Sequence, residues 1–173
     1  MSVDVITGTV HKFGDNINTD LISPARYMEY SNDVIAAHAM EGADPDFSSK
    51  MKLGDIIVAG KNFGSGSSRE TAPIALKGIG VSVVIAEFFA RIFYRNCINI
   101  GLPALICKEA NKINNGDKLE ILPYEGIIKN LSSGAEYKAD PLPAVIMNLV
   151  KRGGLLEDLE YSRKESANIT QSD

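Results

Sequence analysis

The chain has little cysteine, no clustered positive charge and no long apolar run. Each shortage closes off a class of function. Only two cysteines, Cys97 and Cys107, occur in 173 residues, and both sit in apolar sequence. They read as buried thiols. They cannot build a disulfide scaffold, and alone they cannot ligate a zinc ion or an iron–sulfur cluster. Asp and Glu outnumber Lys and Arg, the net charge is −4, and no long basic run is present. A nucleic-acid partner would want a clustered basic face. No apolar run is long enough for a membrane span. The opening residues, Met1-Ser-Val-Asp-Val-Ile6, lack the basic start and apolar core of a secretion signal. A cytoplasmic location is the resulting expectation. Apolar content of 45% and charged content of 23% are ordinary for a globular protein. The length suits one domain with a sizeable core and a short appendage. The expected organisation is one domain over residues 1–155 and a tail over 156–173, with no internal repeat.

What the chain does have is a glycine–serine stretch, Gly60-Lys-Asn-Phe-Gly-Ser-Gly-Ser-Ser-Arg-Glu70. It follows an apolar run, Asp55-Ile-Ile-Val-Ala-Gly60, that reads as a buried strand. It precedes Thr71-Ala-Pro-Ile-Ala-Leu-Lys77, which reads as a helix. Glycines at 60, 64 and 66 let the backbone approach a ligand closely. Ser67, Ser68 and Arg69 then stand at a helix start, where unpaired N–H groups and the helix dipole attract anions. A guanidinium adds a planar fork that matches a carboxylate or phosphate. The stretch is neither a dinucleotide fingerprint, since Arg69 replaces the third glycine, nor a Walker loop, since Ser-Ser-Arg replaces Gly-Lys-Ser/Thr. A glycine-rich turn with a capping serine fits the same residues.

Elsewhere the pattern predicts alternating strands and helices. Residues 4–10 are β-branched and read as a first strand. Gly14-Asp-Asn-Ile-Asn-Thr-Asp20 is a polar loop, and Leu21–Arg26 is irregular because Pro24 disfavours helix at Ser23. A short helix over 34–40 follows a cap at Ser31-Asn-Asp. Residues 81–86 read as a second buried strand, 88–99 as a helix and 101–107 as leading into a further strand. This alternation indicates an α/β fold of crossover units, a mostly parallel sheet flanked by helices. Residues 117–122, 126–131 and 136–139 alternate between turns and read as a small antiparallel portion. Residues 141–151 read as a helix closed by Gly153-Gly154. The polar segment after it is expected to fray or to serve a partner.

Three motifs occur together and in order: Asp15-Asn-Ile-Asn-Thr-Asp-Leu-Ile-Ser-Pro24, Gly64-Ser-Gly-Ser-Ser-Arg-Glu70 and Phe88-Ala-Arg-Ile-Phe-Tyr-Arg-Asn96. With them the chain, over roughly residues 5–155, resembles the small subunits of 3-isopropylmalate dehydratase, in the aconitase swivelling-domain family. The resemblance implies a separate large subunit that carries a 4Fe–4S cluster on three cysteines, and no cofactor in this chain. The implied chemistry is that of a hydro-lyase in leucine biosynthesis: stereospecific loss and re-addition of water on a hydroxy-diacid or triacid. The open iron would act as Lewis acid on the leaving hydroxyl. Carried onto this chain, Ser67 is the base, as an alkoxide. Arg69 holds a substrate carboxylate and favours the Ser67 anion. Ser68 binds carboxylate oxygens or caps the helix.

The resemblance also places Arg26, Tyr27, Met28, Glu29 and Tyr30 on a loop that contacts the substrate's variable group. Glu29 stands where related homoaconitases carry arginine and isopropylmalate enzymes a small apolar residue. A carboxylate there repels the extra carboxylate of homocitrate, while burying it unpaired against an isopropyl group is costly. The expected arrangement has Glu29 in solvent, Tyr27, Met28 and Tyr30 as an apolar wall, and Arg26 pairing with Glu29 or reaching substrate. An ordinary surface loop fits these residues too. A dehydratase of 2,3-dimethylmalate or of homoaconitase type, and a stand-alone dicarboxylate-binding module, are the alternatives. The isolated chain is open to self-association. Ser65 and Thr71 depart from residues common in relatives, with no expected effect on proton transfer. His11 and His38 match no catalytic position, and Arg91 and Arg95 are expected to support the loop or the subunit interface.

Overall fold

A computed structural model describes residues 4–170. In chain order the elements are β1 (Ile6–Lys12), α1 (Thr19–Ile22), α2 (Asn32–Ala37), α3 (Phe47–Lys50), β2 (Ile56–Ala59), α4 (Thr71–Ile79), β3 (Val83–Ala86), α5 (Arg91–Asn99), β4 (Ala104–Ile106), β5 (Lys118–Leu122), β6 (Ile127–Asn130), β7 (Glu136–Lys138), α6 (Ala144–Lys151) and α7 (Leu155–Thr170). The strands form one sheet in the order β4-β3-β2-β1-β5-β6-β7. Strands β1 to β4 pair in parallel. Strands β5 to β7 continue the sheet from β1 in antiparallel pairs.

The strand order explains the layers. Each step from β1 to β4 moves the chain one strand in the same direction, so right-handed crossovers put their helices on one face. Ile57, Ala59, Val84 and Ala86 point to that face and pack with Ile35 of α2, Leu76 of α4 and Phe93 of α5. Their strand neighbours Ile56, Val58, Val83 and Ile85 point the other way, as the two-residue period of a strand requires. They share a second cluster with Leu119, Ile121 and Ile128 of the antiparallel wing and Met147 of α6. The sheet therefore curls, and its two halves enclose one core. Burial on both faces is why β2 and β3 are continuous apolar runs.

Helix α5 starts at Arg91, three residues later than the pattern predicts. Phe88 and Ala90 instead bond the backbone of Phe63, at 3.3 and 2.9 Å. Residues 155–170 form α7, a helix that sequence patterning does not predict. It leaves Leu156, Leu159 and Tyr161 exposed. Residues 171–173 of the expected tail lie outside the described residues. Among the described residues no helix is long and apolar enough to cross a membrane.

Candidate active site

The parallel strands aim the site. β1 and β2 run side by side and end together, and the loops that leave them are laced to each other. Asp15 Oδ1 accepts the Lys61 N–H at 2.7 Å, and the Asn16 N–H donates to the Lys61 carbonyl at 2.8 Å. The Gly64 N–H donates to the Ile17 carbonyl at 2.7 Å, and the Thr19 N–H to that of Ser65 at 2.8 Å. The carboxyl ends of parallel strands are where α/β proteins place ligands.

Two glycines shape the loop. Gly64 has φ +83°, and a methyl group there would meet the Phe93 side chain, 2.5 Å from its Cβ. Phe93 is buried in a cluster with Phe63 and Phe89. The loop can lie this close to the core only without a side chain. Gly66, at φ +109°, turns the chain outward again. Ser67 follows, with its N–H on Thr19 Oγ1 at 3.0 Å. Thr19 is buried and opens α1, whose N-cap is Asn18, with its side chain on the Leu21 N–H at 2.9 Å. Sequence patterning does not single out Thr19 for a role. The signal was present in Asn18, an N-cap type three residues ahead of an apolar position.

Ser67 Oγ accepts two hydrogen bonds from Arg69, from Nε at 2.7 Å and from the backbone N–H at 3.3 Å. Neither Ser67 nor Ser68 caps α4. Glu70 occupies the cap position and makes no side-chain cap bond. No serine of the loop caps α4. Ser68 is exposed, and its carbonyl accepts from Asn96 Nδ2 at 3.2 Å. Asn96 is a buried support from α5 that the sequence motif contained without indicating its use.

The loop over 26–30 converges on the same place. Arg69 Nη1 contacts Met28 Sδ. Arg26 pairs with Glu41 and not with Glu29. Tyr27 is half-buried. Its ring stacks on His38, with centroids 3.8 Å apart and planes 9° apart, and its hydroxyl donates to Glu41 Oε1 at 3.2 Å. His38, which matches no catalytic position, therefore serves this loop. Glu29 and Tyr30 are exposed. Arg91 and Arg95 are exposed on α5.

A cleft of about 10 Å³ lies between Thr19, Asp20, Ser23, Ser67, Arg69 and Thr71. Substrate pockets are on the order of 300 Å³ or more. A larger cavity of about 410 Å³, lined in part by Asn32, Lys77 and Leu156, contains none of these residues. The serine loop alone offers an edge of a site.

The two cysteines are unsuited to an iron–sulfur cluster. Cys97 belongs to the apolar cluster on the helix face of the sheet and Cys107 to the cluster on the opposite face. Burial pushes both thiols up, Cys97 strongly, whereas a cluster ligand must be a thiolate.

The chain is similar to known proteins. Residues 9–110 match the family model of the aconitase C-terminal domain. The 3-isopropylmalate dehydratase small subunit of Nautilia profundicola is 54% identical, over 95% of this chain and 99% of the relative. The isopropylmalate/citramalate isomerase small subunit of Methanocaldococcus jannaschii is also 54% identical, over 94% of this chain and 98% of the relative. The crystal structure of a 3-isopropylmalate dehydratase from Methanocaldococcus jannaschii superposes with a TM-score of 0.90 at 40% identity, covering 95% of this chain and 98% of that one. A match at this identity over nearly the whole length, with the same fold, decides the matter: the chain belongs to the aconitase C-terminal domain family, among the small subunits of 3-isopropylmalate dehydratase.

Proposed function

We propose that this chain is the small subunit of a hydro-lyase that interconverts 2- and 3-isopropylmalate, working with a large subunit that carries the iron–sulfur cluster. The observation that carries the proposal is the approach of both Arg69 donors to Ser67 Oγ, at 2.7 and 3.3 Å, at the carboxyl end of the parallel strands. A serine is far too weak an acid to serve as a base in water. Two N–H donors, one of them cationic, favour the oxyanion over the alcohol. The positive end of α4 adds to them.

Ser67 takes the proton from the carbon next to the one bearing hydroxyl. The hydroxyl leaves with the C–O bond pair as hydroxide, and an unsaturated diacid remains with the abstracted proton on Ser67 Oγ. Hydroxide then adds to the carbon that lost the proton, and Ser67 Oγ returns its proton to the carbon that lost the hydroxyl, which regenerates the alkoxide. Arg69 turns Nε to the serine, so its outer nitrogens are left for a substrate carboxylate. Met28 rests on one of them in the free chain and must yield it. The Lewis acid for the leaving hydroxyl belongs to the partner, since the cysteines of this chain do not suit a cluster.

The small cleft supports a shared site, because the remaining walls must come from elsewhere. Relatives at the same identity are named for isopropylmalate alone and for isopropylmalate and citramalate together. The alkyl group is therefore the variable to test. Against this chain with its cognate large subunit, assembled anaerobically with iron, isopropylmalate, citramalate, dimethylmalate and homocitrate are offered in parallel. Turnover of isopropylmalate, lost in Ser67→Ala, is the expected result. No turnover of any substrate with a loaded cluster would favour a dicarboxylate-binding module.

A further inference from the structure

We infer that Glu41 is a positioning residue. It holds the Arg26–Tyr30 loop in place, and through that loop it sets the site's selectivity for the substrate's alkyl group. The selectivity part rests on the hydro-lyase reading above.

Glu41 is the centre of a four-residue unit. Its Oε1 receives Arg26 Nη2 and the Tyr27 hydroxyl, and its Oε2 faces His38 Nδ1. Tyr27 lies flat on His38, and the Arg26 guanidinium sits 4.8 Å over the Tyr27 ring. Two consecutive loop residues thus end on one carboxylate. The backbone of the loop makes short-range turn bonds, from Tyr27 to Pro24, Met28 to Ala25 and Tyr30 to Tyr27. Such bonds shape a loop without fixing where it lies. The carboxylate ties it to the body.

The carboxylate itself stands on rigid ground. Met40 before it is fully buried in the left-handed region, φ +60°, and donates its N–H to the Ile22 carbonyl at 2.7 Å. A methyl group at Gly42 after it would lie 2.7 Å from Leu21 Cα. Residues 40–42 are therefore pressed on α1. The same short helix carries Thr19, which holds the Ser67 N–H. Glu41 and Ser67 are referenced to one post. A left-handed methionine is an uncommon conformation that only its surroundings can maintain. Here it turns Glu41 back toward the loop.

The path to the chemistry is contiguous. Glu41 holds Tyr27, Met28 is its neighbour in the chain, and Met28 contacts Arg69, which bonds Ser67. Ser67 has its own supports, Thr19 on its N–H and Gly64 on Phe93. Losing Glu41 therefore releases Tyr27 and with it Met28, the apolar side chain set against Arg69, and spares the base. The solvent-exposed Arg26 pair contributes little alone. The weight falls on Tyr27 and His38, and the conformation is set by all three contacts acting on one group.

The test uses the assembled enzyme with isopropylmalate and citramalate, which differ in alkyl bulk. Glu41→Ala is expected to raise KM for isopropylmalate about tenfold with kcat within about twofold, the signature of lost uniform binding. Citramalate changes less, so the preference for isopropylmalate falls. Glu41→Gln, which keeps an acceptor for Tyr27, recovers part of it. In the free subunit, amide exchange at Tyr27–Tyr30 speeds up in Glu41→Ala while Ile56–Ala59 stay protected. An unchanged preference with unchanged exchange overturns the inference, and so does an equal fall in kcat for both substrates. If the wild-type enzyme turns over neither substrate, the functional reading fails and takes the selectivity claim with it. The exchange arm still decides whether Glu41 holds the loop.

Discussion

Replacing Thr19 by valine tests how Ser67 is held. Valine matches threonine in shape and exchanges one hydroxyl for a methyl. Thr19 is 8% exposed, and its Oγ1 is the acceptor for the Ser67 N–H at 3.0 Å. Losing one neutral hydrogen bond costs about 1 kcal/mol, and leaving a half-buried N–H unpaired adds about as much at most. The expected loss is therefore about 1–2 kcal/mol, or roughly 2–8 °C in the melting temperature of a domain of this length. The effect on chemistry is larger. Freed from Thr19, Ser67 shifts against its substrate, and a displacement of about 1 Å costs on the order of 10²-fold in rate. The assay is turnover by the assembled enzyme, followed through ultraviolet absorbance of the unsaturated diacid, beside thermal unfolding of the free subunit. Thr19→Val lowers kcat by about 10- to 100-fold with little change in KM, and Thr19→Ser restores most of it. Wild-type kcat in a Thr19→Val enzyme with the expected drop in stability would refute the claim that this bond aligns Ser67.

Three further outcomes are expected. Gly64→Ala forces a left-handed alanine into the Phe93 side chain, so it destabilises the subunit by about 2–4 kcal/mol in urea unfolding. A loss below about 0.5 kcal/mol would mean the loop does not lie on Phe93 as described. Arg69→Lys leaves stability within about 0.5 kcal/mol because the residue is exposed. It lowers kcat/KM on the order of 10²-fold, because an ammonium cannot give Nε to Ser67 and a fork to a carboxylate at once. The Glu41 carboxyl is held below the usual carboxylate range, chiefly by the His38 hydrogen bond and further by Tyr27 and Arg26. A folded value below the unfolded one stabilises the protein above the unfolded value, and that stabilisation is lost as pH falls through the folded one. The stability gap between wild type and Glu41→Gln is thus present at neutral pH and closes in acid. A gap independent of pH would contradict the assignment.

The fold was legible where burial imposes a period. Ile56–Ala59 and Val83–Ala86 are apolar throughout because both faces are covered, and that run was visible in the chain. The hairpins over 117–139 were visible from their alternation and turn residues. Boundaries moved where distant backbone competed, as at Phe88–Ala90, which bond Phe63 before α5 can begin. Helix α1 is not legible in the chain because Pro24 suggests irregularity, although Asn18 caps it. In the site, Ser67 and Arg69 could be named from local chemistry and resemblance. Their supports could not. Thr19 and Asn96 lie within the sequence motifs, but they are distant in sequence from the loop they hold, and their use depends on contacts that the motifs do not display. Glu41 was less visible still, since its orientation depends on a left-handed Met40 that only packing maintains. Arg26 finds it fifteen residues away in place of the nearby Glu29.

The measurement that bears most directly on the central claim is single-residue removal of the proposed base. Ser67→Ala is assembled with a large subunit whose cluster is verified by spectroscopy, and isopropylmalate turnover is compared with wild type. The account predicts an unchanged melting temperature, retained assembly and a kcat lower by on the order of 10³-fold or more. A Ser67→Ala enzyme within a few-fold of wild type would show that the proton goes elsewhere.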